Sequence, residues 1–245
     1  MLEDSAYERL RQPQGRPPLM FQKWRDLLFL HFPIDPAQVP VPEGLTLDTF
    51  PDSGGIERAW VGAVLFRMHG IRMRGGLAMP WISAFPETNV RTYVHRDGHE
   101  PGVWFFSLDA ARWLACKAAV IGYGLNYKHA LMSVSRRGEH VAYRGRRIER
   151  PAAEWSFDAT LGAPMPQPEV GSLEFFLVER YLLYSRHRGA LRTGLVSHPP
   201  YPLRSVEAFE GEETLVAAAG IPPRPWTHAC FSEGVDVRVQ GLDAS

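Results

Sequence analysis

A nine-residue stretch, from Glu87 to His95, concentrates side chains that can do chemistry. Successive side chains of a strand point to opposite faces of a sheet. If this stretch is a strand, one face carries Glu87, Asn89, Arg91, Tyr93 and His95, and the other carries only threonine and valine. An acid, a guanidinium and a phenol on one face can hold an anion and move a proton.

This polar face has two interpretations. In many antiparallel sheets one face meets water while the other packs on the core. Alternatively, the polar face lines a closed cavity. Exposed strand faces ordinarily use more lysine and threonine than this one does, so its composition favours the cavity.

Two ion pairs are expected near this face. Arg67 falls at the end of an otherwise apolar strand face, and a charge rarely stays buried without a partner. Glu87 is the partner that we expect, and the alternative is that Arg67 reaches solvent at the strand end. Glu179 and Arg180 are expected to form a structural ion pair.

The elements that position these residues are mostly short strands. The 21 prolines and 22 glycines punctuate runs rich in valine and aromatic residues, which is typical of one sheet system or barrel and not of alternating strands and helices. The predicted strands and short elements are 24–32, 45–49, 59–68, 87–95, 103–107, 130–135, 140–147, 155–160, 181–187, 191–198, 203–209 and 214–218, followed by a hairpin of 227–232 and 235–240 around Glu233 and Gly234.

Helical periodicity predicts three helices. Residues 3–12 form a short amphipathic helix, and residues 173–178 form one or two turns. The longest helix runs from about Leu108 to Ile121, with Ser107 as its N-cap and an apolar stripe at spacings of three and four. The loop after it carries Tyr127 and Lys128.

Length and composition indicate a single domain, 1–245, in which 1–20 form an N-terminal helix and a proline-rich lead-in. Apolar residues make up 45% and charged residues 22%, as in ordinary soluble domains. The 27 basic residues balance the 27 acidic ones, so no charge footprint for nucleic acid or anionic membrane is expected. The polar N-terminus and the lack of a long apolar run predict a cytoplasmic protein without a membrane span.

Few residues have the spacing of a metal or cofactor site. Cys116 and Cys230 lie in apolar surroundings and are predicted to be buried free thiols. His95 and His99 flank a predicted Asp97-Gly98 turn, where surface histidines are commoner than metal ligands. The hydrolase elbow, the Walker A loop and the dinucleotide-binding glycine pattern are absent, so no metal or cofactor is expected.

A series of motifs, taken together, resembles the YqjF-like family, a family of unknown function (DUF2071). The resemblance covers nearly the whole chain. The motifs are LLFLHF at 27–32, AWVGAVLF at 59–66, FPETNVRTYV at 85–94, GVWFFSLDA at 102–110, GLNYKHA at 124–130, SLEFFLVERYLLY at 172–184 and VSHPPYPL at 196–203.

That family is similar in fold to acetoacetate decarboxylase. The resemblance implies a mostly β (α+β) architecture, an antiparallel, cone-like β-barrel with a polar inner cavity and a few covering helices. The decarboxylase uses a lysine Schiff base, whose amine is kept free by a neighbouring cation and a dry pocket. The resemblance puts Tyr127 at that lysine, Lys128 at the second lysine and Glu87 at the acid on a facing strand. It also makes His31 and His198 candidates for the cavity rim, although each is equally an ordinary structural histidine.

Three functions stay open. In the first, the cavity binds a small oxo- or carboxylate-bearing metabolite for lyase-type chemistry, with Glu87 as acid or base, Tyr127 as oxyanion donor and Lys128 as the one lysine placed for an imine. In the second, a barrel binds the ligand without reaction. In the third, the interior is a structural ion-paired network and no cavity exceeds about 300 Å³. The expected partner is a small-molecule ligand, and assembly into a homo-oligomer is left open. The ligand-binding set is Arg67, Asn89, Arg91, Tyr93 and His31.

Overall fold

The computed structural model describes residues 9–11, 17–76, 84–112, 124–187 and 189–244. Most of them lie in β-strands, with two short α-helices, α1 (Leu173–Val178) and α2 (Leu215–Ala218), and a 3-10 helix (Pro36–Gln38). Residues 9–11, the described part of the predicted helix at 3–12, are also helical. The strands are β1 (Met20–Ile34), β2 (Thr46–Leu47), β3 (Phe50–Pro51), β4 (Glu57–Met73), β5 (Phe85–Arg96), β6 (His99–Ala110), β7 (Tyr127–Arg137), β8 (His140–Arg147), β9 (Glu154–Pro164), β10 (Leu182–His187), β11 (Ala190–Ser197), β12 (Leu203–Glu213) and β13 (His228–Ala244).

The strands pair in the order β11-β10-β6-β7-β8-β9-β12-β13-β1-β4-β5-β2, and β3 pairs with β4. Additional pairings join β11 to β13 and β5 to β6. The pairs are antiparallel except β6 with β7 and β6 with β10. The predicted mostly β, mostly antiparallel class is therefore confirmed, while the cone-like barrel stays a prediction. Among the described residues, no helix combines the length and the hydrophobicity that crossing a membrane requires.

Strands β1 and β4 separate two apolar cores, because both are apolar at odd and even positions. Phe29 and Val64, which are register partners, face the first core together with α1. Leu28 and Leu65 are also partners and face the second core, under β8 and β9. A strand that is buried on both faces needs such a continuous apolar run.

The register of β5 directs its polar face into the first core. Glu87 pairs with Phe66, and Asn89 pairs with Val64, so these side chains lie on the face that holds the first core. Glu87 is 3% exposed and Arg91 is 8% exposed. The alternative in which this face meets water is therefore wrong.

The predicted helix at 108–121 does not begin where its cap was expected. Ser107 to Ala110 form the end of β6, and residues 113–121 lie outside the described residues. Strand pairing is preferred to a helix here because it places Ser107 and Asp109 beside Arg147 of β8, which donates hydrogen bonds to both side chains. Cys116 also lies outside the described residues, whereas Cys230 is a buried free thiol as predicted.

The predicted hairpin at 227–240 is a single strand, β13. Strand β1 pairs with it on both sides of Glu233-Gly234, so the chain continues without a turn. Gly234 has a φ of 130°, and a Cβ there would lie 2.1 Å from the carbonyl oxygen of Trp24. The glycine therefore serves a close approach of two strands and not a reversal of the chain.

Candidate functional site

An internal cavity of about 110 Å³ lies in the first core. Its walls come from β1, β4, β5, β6, β7, β10, β11 and β13 and from the loops that carry Leu125, Arg180 and Tyr201. Most of the lining is aliphatic or aromatic. The polar lining residues are Gln22, Glu87, Asn89, Arg91, Tyr127, Arg180, Tyr181 and Tyr201.

Glu87 and Tyr127 form a hydrogen-bonded pair on one wall. The Tyr127 hydroxyl donates to Glu87 Oε2 at 3.0 Å. Burial raises the pKa of Glu87 to about 8, the nearby charge of Asp109 adds to this rise, and the bond from Tyr127 partly opposes it. At neutral pH Glu87 is therefore mostly a carboxylic acid, which can donate a proton to a bound molecule.

The raised pKa of Glu87 predicts a pH-dependent stability. Below pH about 4.5, the ordinary pKa of a glutamate, Glu87 is protonated in both the folded and the unfolded state. Between about 4.5 and 8 only the folded state keeps its proton. The stabilisation that the protonated Glu87 gives the folded state is therefore fully present at low pH, and it is lost as the pH rises through about 8. Since Glu87→Gln cannot ionise, we expect its free energy of unfolding relative to wild type to rise between about pH 5 and pH 9 in urea titrations.

The control for this titration is Glu149→Gln, which alters a largely exposed glutamate outside the cavity. Its stability is expected to follow that of the wild type across the same range. A Glu87→Gln curve that runs parallel to the wild-type curve would show that Glu87 ionises alike in the folded and unfolded states.

Arg91 supplies a buried cation that has no anion beside it. Its Nη2 donates to the carbonyl oxygen of Leu177, in the last turn of α1, at 2.9 Å. Its Nε is buried without a hydrogen-bond partner, and in the described ranges no carboxylate lies within ion-pair distance. Asn89 Oδ1, two residues away on the same face, is also buried and unpaired. Such groups cost free energy unless a ligand or water satisfies them.

Arg180 lines the same cavity but is compensated. Its Nη1 contacts Asp48 Oδ2 at 2.7 Å, and its Nε donates to the carbonyl oxygen of Phe176 at 2.8 Å. The predicted pair of Arg180 with Glu179 is wrong, because Glu179 accepts hydrogen bonds from the Tyr181 hydroxyl and a backbone amide instead. Neighbouring residues in an extended segment point in different directions, so adjacent opposite charges need not meet.

Arg67 lies outside the cavity, which corrects its predicted pairing with Glu87. Its Nε is 3.3 Å from Asp26 Oδ2, and its Nη2 donates to the carbonyl oxygen of Val134 at 3.1 Å. Since Phe66 is the register partner of Glu87, Arg67 points to the opposite face of the sheet. An anion in the cavity would therefore not meet it.

Lys128 also does not line the cavity. Alternation along β7 turns it away from the cavity that Tyr127 lines, and its Nζ lies 3.9 Å from Glu149 Oε2. No lysine contributes to the cavity wall within the described parts of the chain. Lys117 lies outside the described residues.

Tyr93 and His31 are buried beside the cavity without lining it. The Tyr93 hydroxyl donates to the carbonyl oxygen of Leu177 at 2.7 Å. His31 Nδ1 lies 3.1 Å from His228 Nδ1, and its Nε2 has no hydrogen-bond partner. Burial, with the neighbouring His228 and Arg91, lowers the pKa of His31 well below its usual value, so the ring is neutral at pH 7.

His198 does not line the cavity. Its Nδ1 donates to the carbonyl oxygen of Pro199 at 2.8 Å, and its ring packs on Tyr181 and Tyr201. Burial lowers its pKa to about 4, and hydrogen bonds to backbone carbonyls partly oppose this. His95, which accepts a hydrogen bond from the backbone amide of Gly98, belongs to the β5–β6 turn. In the described part of the chain, no three histidine, cysteine or acidic side chains lie together as a metal site.

The sequence interpretation missed two polar features. Arg180 follows the apolar run of α1, and its place directly after that run and Glu179 was the available sign of a buried charge. Arg147 ends the basic run Arg144-Gly145-Arg146-Arg147, whose composition is typical of a solvated hairpin. It nevertheless binds Asp109 through both oxygens at 2.6 and 2.8 Å, with both side chains almost fully buried. No local pattern distinguishes Arg147 from its exposed neighbours.

Comparison with known proteins identifies the family of this chain. Residues 21–236 match DUF2071, described as an uncharacterized conserved protein. The chain belongs to this family. It is 35% identical over 206 residues to the uncharacterized protein YqjF of Bacillus subtilis (strain 168), an alignment that covers 83% of this chain and 82% of YqjF. The family that the motifs predicted is thus confirmed.

Solved structures establish the fold. The DUF2071 chain superimposes on acetoacetate decarboxylase from Legionella pneumophila subsp. pneumophila str. Philadelphia 1 with a TM-score of 0.65 and 12% identity, covering 100% of this chain and 96% of that one. It also matches the enduracididine biosynthesis enzyme MppR, complexed with the condensation product of pyruvate and imidazole 4-carboxaldehyde (TM-score 0.62, 13% identity, 94% and 90% coverage). The chain therefore has the acetoacetate decarboxylase fold.

Proposed function

We propose that the cavity binds a small metabolite that bears a carboxylate and an oxo group, and that Glu87 performs acid–base chemistry of lyase type on it. The observation that carries this proposal is Arg91, a buried guanidinium that lines the cavity without a carboxylate partner in the described ranges. A buried cation is costly unless an anion pairs with it. MppR, which shares the fold, has been solved with pyruvate, a molecule of this class.

The two ends of the ligand have separate partners. Glu87 and Arg91 lie on the same face of β5 with Asn89 between them, and all three residues line the cavity. The carboxylate pairs with Arg91, and the oxo oxygen lies at Glu87. In a 3-oxo acid the bond between the carboxylate carbon and C2 breaks, and the carboxylate leaves as carbon dioxide. The electron pair of that bond forms the C2–C3 double bond of an enol, whose oxygen takes the proton of Glu87. The Tyr127 hydroxyl then stabilises the carboxylate of Glu87 that remains.

This chemistry proceeds without a lysine imine in the described cavity. Tyr127 cannot form an imine, and Lys128 contacts Glu149 outside the cavity. We therefore expect borohydride reduction in the presence of pyruvate or acetoacetate to leave the Lys128 peptide unmodified, as peptide mass mapping would measure. An adduct that appears on Lys128 in the wild type and disappears in Lys128→Ala would overturn this expectation. Mapping also separates Lys128 from Lys117 and Lys23.

A ligand screen tests the function itself. Thermal unfolding is measured with small carboxylic acids, each with and without an oxo group, followed by calorimetric titration of those that bind. A specific ligand at 100 times its Kd is expected to stabilise the protein by about 2.7 kcal/mol. Proton NMR of the recovered ligand then distinguishes turnover from binding alone. If no small carboxylate shifts the unfolding temperature, the proposal fails.

The alternative is a ligand-binding or structural protein that catalyses nothing. One observation favours it: the cavity measures about 110 Å³, below the roughly 300 Å³ at which ligand pockets usually begin. Under this alternative, a bound acid is recovered unchanged, and Glu87→Gln does not affect it.

A further inference from the structure

Two guanidinium groups line the cavity, and they differ in how their charges are balanced. The guanidinium carbons of Arg91 and Arg180 lie 5.6 and 5.2 Å from the centre of the Tyr93 ring. Arg180 is paired with Asp48, whereas Arg91 has no carboxylate partner in the described ranges. The cavity therefore presents two cations but only one uncompensated positive charge.

Asp48 acts on Arg180 from outside the cavity. It does not line the cavity, but lies in an outer pocket of about 240 Å³ with Phe50, His95 and Phe176. Arg180 borders both spaces, and its side chain is 4% exposed against 24% for Asp48. The backbone amide of Asp48 donates to the carbonyl oxygen of Tyr93 at 2.9 Å, which fixes the carboxylate beside Arg180.

Resting on the proposed function, we propose that Asp48 is a specificity-determining residue that makes the cavity select monocarboxylates over dicarboxylates. By engaging Arg180, it leaves Arg91 as the one free cation that the described residues of the cavity offer to a ligand. A monoanion then neutralises the cavity, whereas a dianion brings a second negative charge that has no free partner. A buried charge without a partner is penalised, so discrimination arises by excluding the wrong ligand as well as by binding the right one.

The substitution Asp48→Asn tests this proposal, with acetoacetate and malonate as probes. The two acids have the same number of non-hydrogen atoms, but acetoacetate is a monoanion and malonate is a dianion near pH 7.5. The wild type is expected to bind acetoacetate more tightly. In Asp48→Asn, Arg180 loses its counter-charge and becomes available to the second carboxylate. We expect the ratio of the two Kd values, measured calorimetrically, to shift toward malonate by about tenfold or more.

Two further variants make the test specific. Asp158→Asn alters an acid in an exposed pair with Arg144 and is expected to leave the ratio unchanged. Adding Arg180→Met to Asp48→Asn is expected to abolish the gain in malonate binding. If Asp48→Asn does not fold, Arg180→Met alone is measured. Its ratio of the two Kd values is expected to move no closer to malonate than that of the wild type, and a shift toward malonate of about tenfold would overturn the proposal.

The outcomes separate this inference from the proposed function. If the wild type binds neither acid nor any other small carboxylate, the proposed function fails and this inference fails with it. If the wild type binds acetoacetate and the ratio is unchanged in Asp48→Asn, the proposed function stands and the role of Asp48 is refuted.

Discussion

Replacing Arg91 with methionine is expected to weaken the binding of a small carboxylate by about 100-fold or more. Losing the charged partner of a buried anion typically costs about 2–5 kcal/mol. Calorimetric titration of wild type and Arg91→Met with the best ligand of the screen measures the loss. Arg91→Lys keeps the charge but not the planar fork of donors, so we expect intermediate binding.

The control is Arg96→Met, which removes an arginine at the end of the same strand, outside the cavity. Its ligand affinity is expected to match that of the wild type. A folded Arg91→Met variant that binds the acid as tightly as the wild type would exclude Arg91 from the site.

The stability of Arg91→Met separates a ligand site from a structural network. Arg91 has no carboxylate that its removal would strand in the described ranges, and the Leu177 carbonyl oxygen keeps the hydrogen bond from Tyr93. We therefore expect the ligand-free variant to be as stable as the wild type or more stable, as at sites where function opposes stability. A structural ion-paired interior predicts a clear loss of stability instead.

Breaking the pair of Asp109 and Arg147 is expected to produce the largest loss of stability. Both side chains are almost fully buried, and two hydrogen bonds join them. Asp109→Ala leaves the Arg147 guanidinium buried without its carboxylate, so the free energy of unfolding should fall by about 3–5 kcal/mol. Urea-induced unfolding at constant pH measures this change.

Two controls define the origin of that loss. Asp158→Ala breaks a pair that is about half exposed, and it should cost less than about 1 kcal/mol. Replacing both partners with apolar residues of similar size, as in Asp109→Leu with Arg147→Met, is expected to recover much of the stability. If Asp109→Ala is as mild as Asp158→Ala, the pair is not a buried electrostatic contact.

Sequence was sufficient to predict those features that depend on neighbouring residues alone. Apolar runs predicted strands at 24–32 and 59–68, and both lie within observed strands, β1 and β4. Alternation predicted that Glu87, Asn89 and Arg91 share one face, and α1 begins and ends at the predicted residues. The motifs also predicted the family, because they combine several distant segments of the chain.

The contacts of individual side chains, and the points at which strands end, depended on tertiary structure. The segment around Ser107 has the local features of a helix cap, yet strand pairing and Arg147 hold it extended. Glu233-Gly234 has the composition of a turn, yet β1 pairs on both sides of it. Propensity acts within a few residues, whereas these contacts join positions far apart in the chain, and their energy outweighs the local preference.

For the charged residues of the candidate site, too, sequence predicted the residue types and tertiary structure decided their positions. Sequence identified Arg67, Arg91 and Glu87 as candidates, but the register of β4 and β5 turns Arg67 to Asp26 and leaves Arg91 in the cavity. A shift of one residue along a strand exchanges its two faces, so the side that a charge reaches depends on pairing and not on residue type. Residue types thus determined which chemistry the chain can offer, and strand register decided which of those groups share a cavity.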